Sequence, residues 1–275
     1  MNVEANQLFI FDLDGTLYEG TDHFDYYASK LKKLVSDPYQ TDFYAEYEKM
    51  KAGHHVVSIG KGYDIKHDCI FSIDPLTLQV TKVEEWDGIC WEQEKIQEMY
   101  PNPIVFDFTS LIAIGDGWWL PFVCATHYGV KDCYSSYLAT KEYMVSDQFN
   151  LEKIPGLREW LLSLKTTKQI VLMTNSDRED VGRLLRELAL DDVFDHIISS
   201  AKKPSFTKGL FQELLQQYKL EAHEAVSIGD NFINEIAPAL TLGMNGVYIH
   251  SSMKEQEHSN LTVIPSIREI YNSRI

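Results

Sequence analysis

Basic residues are in short supply in this sequence: 25 Lys and Arg stand against 41 Asp and Glu, a formal net charge of −16 over 275 residues. A chain this acidic repels a phosphate backbone or an anionic lipid surface, so neither nucleic acid nor membrane is expected as a main partner. Long apolar runs are missing, and nothing approaches the roughly 20 residues that a bilayer span requires. No basic stretch followed by an apolar one opens the chain; a strand pattern begins almost at once, and the sequence reads as cytoplasmic. Cysteine is scarce. Cys69, Cys90, Cys124 and Cys133 contain no Cys-x-x-Cys pair, which argues for buried thiols over a disulfide framework. His54, His55, His67 and Cys69 are metal-ligand types at a spacing that fits no zinc pattern. With 44% hydrophobic residues and no low-complexity tract, the chain can bury one or two domain cores.

Near the N-terminus an apolar run, Leu8 to Phe11, ends abruptly in Asp12-Leu13-Asp14-Gly15-Thr16-Leu17. The run reads as a buried strand, and Gly15 permits a sharp turn after it. Leu17 and Tyr18 interrupt the alternating oxygen ligands of a calcium loop, so that reading is set aside. Two carboxylates one residue apart at a strand end can do two jobs, Asp12 as nucleophile and metal ligand, Asp14 as acid and then base.

From Ile154 the pattern alternates regularly between helix and strand. Helix Leu157 to Leu164 precedes strand Gln169 to Thr174; a helix through Leu188 precedes strand His196 to Ser199. Helix Gly209 to Tyr218 precedes strand Ala225 to Ile228, and a helix carrying Glu235 runs to a Gly243 cap. Strand Gly246 to Ile249 and a last strand and helix follow. This repetition predicts a doubly wound parallel sheet with helices on both faces. Residues between about Tyr18 and Asn150 break the alternation. They read as helices over Asp25 to Val35, with Tyr26, Tyr27, Leu31 and Leu34 on one face, and over Phe43 to Lys51. Strands follow over His55 to Ile59, Asp68 to Ile73 and Leu78 to Val83, then helices around Trp91 to Met99 and Tyr134 to Val145.

All strand ends of a parallel sheet open on one edge, so Asp12, Asp14, Thr174, Asn175, Lys203 and Asp230 can converge although far apart in sequence. Asp12 and Asp230, with a main-chain carbonyl near Asp14, are the hard oxygen donors Mg²⁺ prefers. Thr174 and the Asn175 N–H, at a helix start, suit phosphoryl oxygens, and Lys203 adds a compact positive charge. Lys202 and Lys208 compete with Lys203 for that role; Lys203 ranks first because the proline after it matches the family resemblance described next.

In this order, Phe-Asp-Leu-Asp-Gly-Thr-Leu at 11–17, Met173-Thr174-Asn175-Ser176, Lys203-Pro204 and Gly229-Asp230 through Glu235 resemble the motifs of the haloacid dehalogenase-like hydrolase superfamily. The resemblance covers residues 1–18 and 150–275, which implies a Rossmann-like core and, over 19–149, an inserted mixed α+β cap. It further implies a Mg²⁺-dependent phosphatase that hydrolyses a small phosphorylated metabolite through an aspartyl-phosphate on Asp12. Asp14 would be acid and base, with Thr174, Asn175 and Lys203 on the phosphoryl group. Asp12, Asp14, Asp230 and Glu235 would be at the metal. Glu235 departs from the aspartate usual in the fourth motif, and its extra methylene suggests contact through water. The cap is expected to act as a lid and to select the substrate. Within it, Gly60-Lys61-Gly62 is either a cation-bearing loop or a plain turn, and Gly115 to Trp119 either a ring-stacking surface or cap core or dimer contact. Phosphotransfer to a sugar, as in a mutase, and a non-catalytic binding role on the same fold are the alternatives.

Overall fold

The computed structural model describes residues 3–146, 148, 149, 151–250 and 258–272. The chain enters through β1 (Leu8–Phe11) and a two-residue strand, β2 (Tyr18–Glu19). It continues through α1 (Asp22–Lys32), α2 (Gln40–Lys51), β3 (Gly62–Asp64), β4 (Cys69–Ile73), β5 (Val80–Glu84), α3 (Gln93–Met99), β6 (Leu111–Ala113), α4 (Trp119–His127) and α5 (Tyr134–Met144). It returns by β7 (Glu152–Lys153) into α6 (Leu157–Lys165), β8 (Gln169–Met173), α7 (Arg178–Glu187), β9 (His196–Ile198), α8 (Thr207–Tyr218) and β10 (Ala225–Gly229). The last elements are α9 (Ala237–Thr241), β11 (Asn245–Ile249), β12 (Leu261–Ile264) and α10 (Arg268–Asn272). Two compact units result, Met1–Gly20 with Asn150–Ile275, and Thr21–Phe149.

The first unit is built on a six-stranded sheet in the order β12-β11-β10-β1-β8-β9, parallel throughout. β1 lies near its centre, so its four apolar side chains are covered on both faces. Leu8 and Ile10 pack with Phe211 and Leu214 of α8, while Phe11 meets Trp160 of α6 and Phe194 edge-on. At about 1.5–3 kcal/mol per buried side chain, this strand alone anchors both layers. β2 and β7 pair antiparallel, Tyr18 opposite Lys153, where the chain leaves and re-enters the core. After Asn231, one wide π-type turn (Phe232–Ile236) precedes α9, and Gly243 ends that helix at φ +80°.

The second unit combines α1, α2, α4 and α5 with a four-stranded antiparallel sheet in the order β5-β4-β3-β6. Its core gathers Tyr27, Leu31, Phe43, Tyr47, Tyr63 and Ile112. The expected strand over His55 to Ile59 is not formed. His55 Nδ1 accepts the Val57 N–H instead, and the Val56 carbonyl accepts from Lys61 Nζ, so local side chains take the bonds a ladder would need. Gly62, expected in a loop or turn, opens β3, and Lys61 is spent on Val56 and on Glu84 at 2.7 Å. Leu34, placed on the buried face of the first helix, is 47% exposed because α1 stops at Lys32. Trp118 packs among His23, Phe24, Tyr27 and Tyr137, which makes this stretch part of the unit's own core. Cys69, Cys124 and Cys133 are buried thiols; Cys90, expected to be buried, is exposed. Among the described residues no helix is long and apolar enough to cross a membrane.

Candidate active site

Register brings the strand ends together. Phe11 stands beside Leu172 of β8 and Ile228 of β10, so Asp12, Thr174 and Asp230 all follow neighbouring strands at one edge of the sheet. The Asp12 N–H donates to the Ile228 carbonyl at 2.9 Å, fixing the aspartate to the end of β10. Its side chain is 7% exposed, while Asp14 and Asp230 are half-buried.

Lys203 Nζ lies 2.6 Å from Asp12 Oδ1 and 2.6 Å from Glu235 Oε1. Of the three candidate lysines, Lys203 alone is buried; Lys202 and Lys208 are exposed. The residue that holds its segment is Asn175, whose Oδ1 accepts the Lys203 N–H at 2.7 Å and whose Nδ2 donates to the Lys203 carbonyl at 3.1 Å. One side-chain amide thus does for this loop what a neighbouring strand does for another. The Thr174 hydroxyl oxygen accepts the Ser176 N–H at 3.1 Å, leaving its proton for another acceptor.

Two residues that sequence reasoning missed hold Asp14. Tyr18 donates its phenolic proton to Oδ1 at 2.6 Å, and Ser176 donates from Oγ to Oδ2 at 3.1 Å. Ser176 could not be read from spacing, since it is 162 residues from Asp14 along the chain, whereas Tyr18 is only four residues away.

Two glycines make room for the acids. Gly15 has φ +71°, and a Cβ there would lie 2.1 Å from Asp230 Oδ2, so the turn after β1 is cut to fit that carboxylate. A Cβ on Gly229 would lie 2.8 Å from the Glu235 Cγ. Glu235 spends both oxygens, one on Lys203 Nζ and one on the Asn231 N–H at 3.0 Å. Its extra methylene takes it to the lysine.

Burial pushes the carboxyls of Asp12 and Glu235 up, Glu235 to about 8, against the opposing pull of the Lys203 charge. Burial also works against the Lys203 ammonium, yet the two carboxylates outweigh it and raise that group above its ordinary value. One ammonium serves two acids, and Asp14 beside Asp12 raises the Asp12 carboxyl further. Acids that outnumber their cations hold protons more tightly, and a bound cation would take the place of those protons. Among the described residues no group of three or more His, Cys, Asp or Glu is gathered closely enough to encase a metal with side chains. Mg²⁺ asks for less: one or two carboxylates, with carbonyl, water and substrate oxygens completing its shell. Asp12 and Asp230 fit that demand.

The sequence profile of a haloacid dehalogenase-like hydrolase matches residues 7–243, most of the chain. The chain belongs to the haloacid dehalogenase-like hydrolase family. Among relatives, it is 31% identical over 142 residues to the haloacid dehalogenase-like hydrolase domain-containing protein 3 of Xenopus laevis, covering 48% of this chain and 57% of that protein. It is 28% identical over 103 residues to the glyceraldehyde 3-phosphate phosphatase of Pyrococcus abyssi, covering 36% of this chain and 42% of that one. The matches thus span about half the length of these relatives. The fold is also that of a Bacillus subtilis protein assigned as the HAD-hydrolase YfnB, solved with bound magnesium: TM-score 0.53, 15% identity, 98% of each chain. A Thermotoga maritima protein assigned as a beta-phosphoglucomutase shares it too, with TM-score 0.50, 13% identity and 97% of each chain. Within this family the six-stranded parallel core and the insert of helices and antiparallel strands after the first strand are the expected architecture, and both are present here.

Proposed function

We propose that this hydrolase is a Mg²⁺-dependent phosphatase acting on a small phosphorylated metabolite, and that its first chemical step is attack by Asp12 on phosphorus. The observation that carries the reading is the 2.6 Å pair of Asp12 with the buried Lys203 at the C-terminal end of a central parallel strand, beside Thr174 and Asp230. The fixed ammonium favours the ionised form of Asp12 against the effect of burial, and the same ammonium offsets charge on the phosphoryl oxygens.

In the proposed sequence an Asp12 oxygen forms a bond to phosphorus as the ester P–O bond breaks, and Asp14 gives its proton to the departing alkoxide. Asp14, now a carboxylate, takes a proton from water, whose oxygen attacks the aspartyl-phosphate. Inorganic phosphate leaves and Asp12 is regenerated. The Thr174 hydroxyl and the Asn175 N–H receive the phosphoryl oxygens. Asp12, Asp230 and a main-chain carbonyl near Asp14 would hold Mg²⁺, which when bound would supply charge neutralisation and orientation of the phosphoryl group. Glu235 is assigned to holding Lys203. The core supplies groups for the phosphoryl end, so the insert, residues 19–149, is assigned the choice of the rest of the substrate. The Pyrococcus abyssi relative, a phosphatase of a phosphorylated triose, supports a small polar monoester as the substrate class.

The test is phosphate release from an aryl phosphate and a panel of phosphometabolites, with and without Mg²⁺, with Asp12→Asn as control. Mg²⁺-dependent release that Asp12→Asn abolishes is the expected result. Release that survives the substitution removes Asp12 from the chemistry. Phosphate passing to an added sugar faster than to water would replace hydrolysis by phosphotransfer.

A further inference from the structure

We propose that Tyr18 is a positioning residue for proton transfer, acting through Asp14; this rests on the phosphatase reading above. The two bonds to Asp14 are unequal. The phenol of Tyr18 is 2.6 Å from Oδ1, and Tyr18 itself is 1% exposed, so this donor is locked in place. The Ser176 bond to Oδ2 is longer, 3.1 Å, and a serine hydroxyl turns freely to another acceptor. A carboxyl whose Oδ1 is occupied as an acceptor carries its proton on Oδ2. Tyr18 therefore selects the oxygen that acts, and Ser176 is the exchangeable partner that yields it. Ser176 also lies two residues after Thr174, the side chain assigned to the phosphoryl oxygens, so the released Oδ2 belongs to the same strand-end cluster as the reacting group.

The backbone around Tyr18 serves this role. Tyr18 pairs with Lys153 in the short β2–β7 ribbon, and the next residue, Glu19, is tied to Ser266 at 2.5 Å and to Arg268 at 2.8 Å. The strand pair fixes the backbone of Tyr18, and the ties of Glu19 fix the residue after it. The position of the acid is thereby set from the ribbon, four residues along the chain, as well as from the turn that carries Asp14.

In the proton-transfer step the leaving oxygen accepts the Oδ2 proton while the P–O bond electrons remain on that oxygen; Tyr18 keeps its own proton throughout. Its removal should therefore matter only where the leaving group needs a proton. The experiment compares Tyr18→Phe and Ser176→Ala with the wild-type protein, all with Mg²⁺, on a series of aryl phosphates from dinitrophenyl to phenyl phosphate. The phenylalanine keeps the buried ring. We expect Tyr18→Phe to lower kcat/KM at least 10-fold for phenyl phosphate and less than twofold for dinitrophenyl phosphate, whose leaving group departs unprotonated. Ser176→Ala should show the same trend with a smaller spread. An equal loss across the series in Tyr18→Phe, or no loss, overturns the positioning role while leaving the phosphatase intact. A wild-type protein inert on every member overturns both readings.

Discussion

Replacing Gly15 by alanine tests whether the turn after β1 is shaped around Asp230. The backbone at φ +71° costs an L-residue about 1–2 kcal/mol, of which roughly 0.4–1 kcal/mol is recovered from the stiffer unfolded chain. Net destabilisation from the backbone is thus about 1 kcal/mol. The steric term is different in kind. The added methyl would lie 2.1 Å from Asp230 Oδ2, and the carboxylate must retreat to an ordinary contact of 3.4 Å, a shift of about 1.3 Å. Displacing a group at the reacting centre on that scale costs on the order of 100-fold in rate. Gly53→Ala is the control, because Gly53 has nearly the same φ, +72°, with nothing within 4 Å of the added atom. Urea denaturation should show similar midpoint shifts for both variants. Turnover on an aryl phosphate and Mg²⁺ affinity by calorimetry should fall only in Gly15→Ala. Unchanged Mg²⁺ affinity and turnover in Gly15→Ala would refute the reasoning, as would an equal loss of activity in Gly53→Ala.

Further outcomes follow from the same geometry. Lys203→Met leaves the Asp12 and Glu235 carboxylates buried without their shared cation; about 3–5 kcal/mol of stability should be lost, read by urea denaturation, with turnover reduced on the order of 100-fold or more. Asn175→Ala removes both side-chain bonds to the Lys203 main chain and should cost about 1–3 kcal/mol, whereas Asn175→Asp, which still accepts the Lys203 N–H but cannot donate to the Lys203 carbonyl, should recover only part of that loss. In the second unit, burial of Glu84 is outweighed by its bonds to Lys61 and Lys82, which hold its carboxyl below the ordinary 4.5. A depressed value means that this stabilisation is complete above 4.5 and disappears as pH falls through the lower, folded-state value. The thermal midpoint measured against pH should drop in that acid window, and Lys61→Met should flatten the drop.

The core was legible because the central strands are buried, largely apolar runs that stop at a polar residue, as Leu8–Phe11 stops at Asp12 and Ala225–Gly229, interrupted only by Ser227, stops at Asp230. The insert was less so. β3 and β6 have three residues each, too few to show a period of two, and β2 and β7 have two. α4 contains Pro121 and is apolar on nearly every side, so it shows no helical stripe, although a proline in the first turn does not prevent a helix. His55 to Ile59 alternates like a strand, but its polar groups are satisfied by Lys61 and by His55 itself. At the site, motif spacing pointed to Asp12, Lys203 and Asp230. It was silent on Asn175 as a clamp, because that role exists only once residues 28 apart meet, and on Tyr18 as a donor, because the turn between Asp14 and Tyr18 decides whether the phenol folds back. An acid at position 235 did not say that it would face Lys203.

The place of β1 in the sheet has a consequence for synthesis. Leu8 pairs with Gln169 on one side and Ala225 on the other, so this strand, once made, waits for roughly 160 further residues before its nearer partner exists. At about 5–20 residues per second that is on the order of ten to thirty seconds for an apolar segment with nothing to pair with. The compact unit of residues 21–149 is contiguous and emerges during this interval. The nascent chain thus carries a finished insert and an orphan strand at the same time, and the orphan is the piece that leads into Asp12, the proposed nucleophile. Translation speed across residues 150–229 and chaperone capture of the leading segment therefore bear on the yield of active enzyme more directly than on that of the insert.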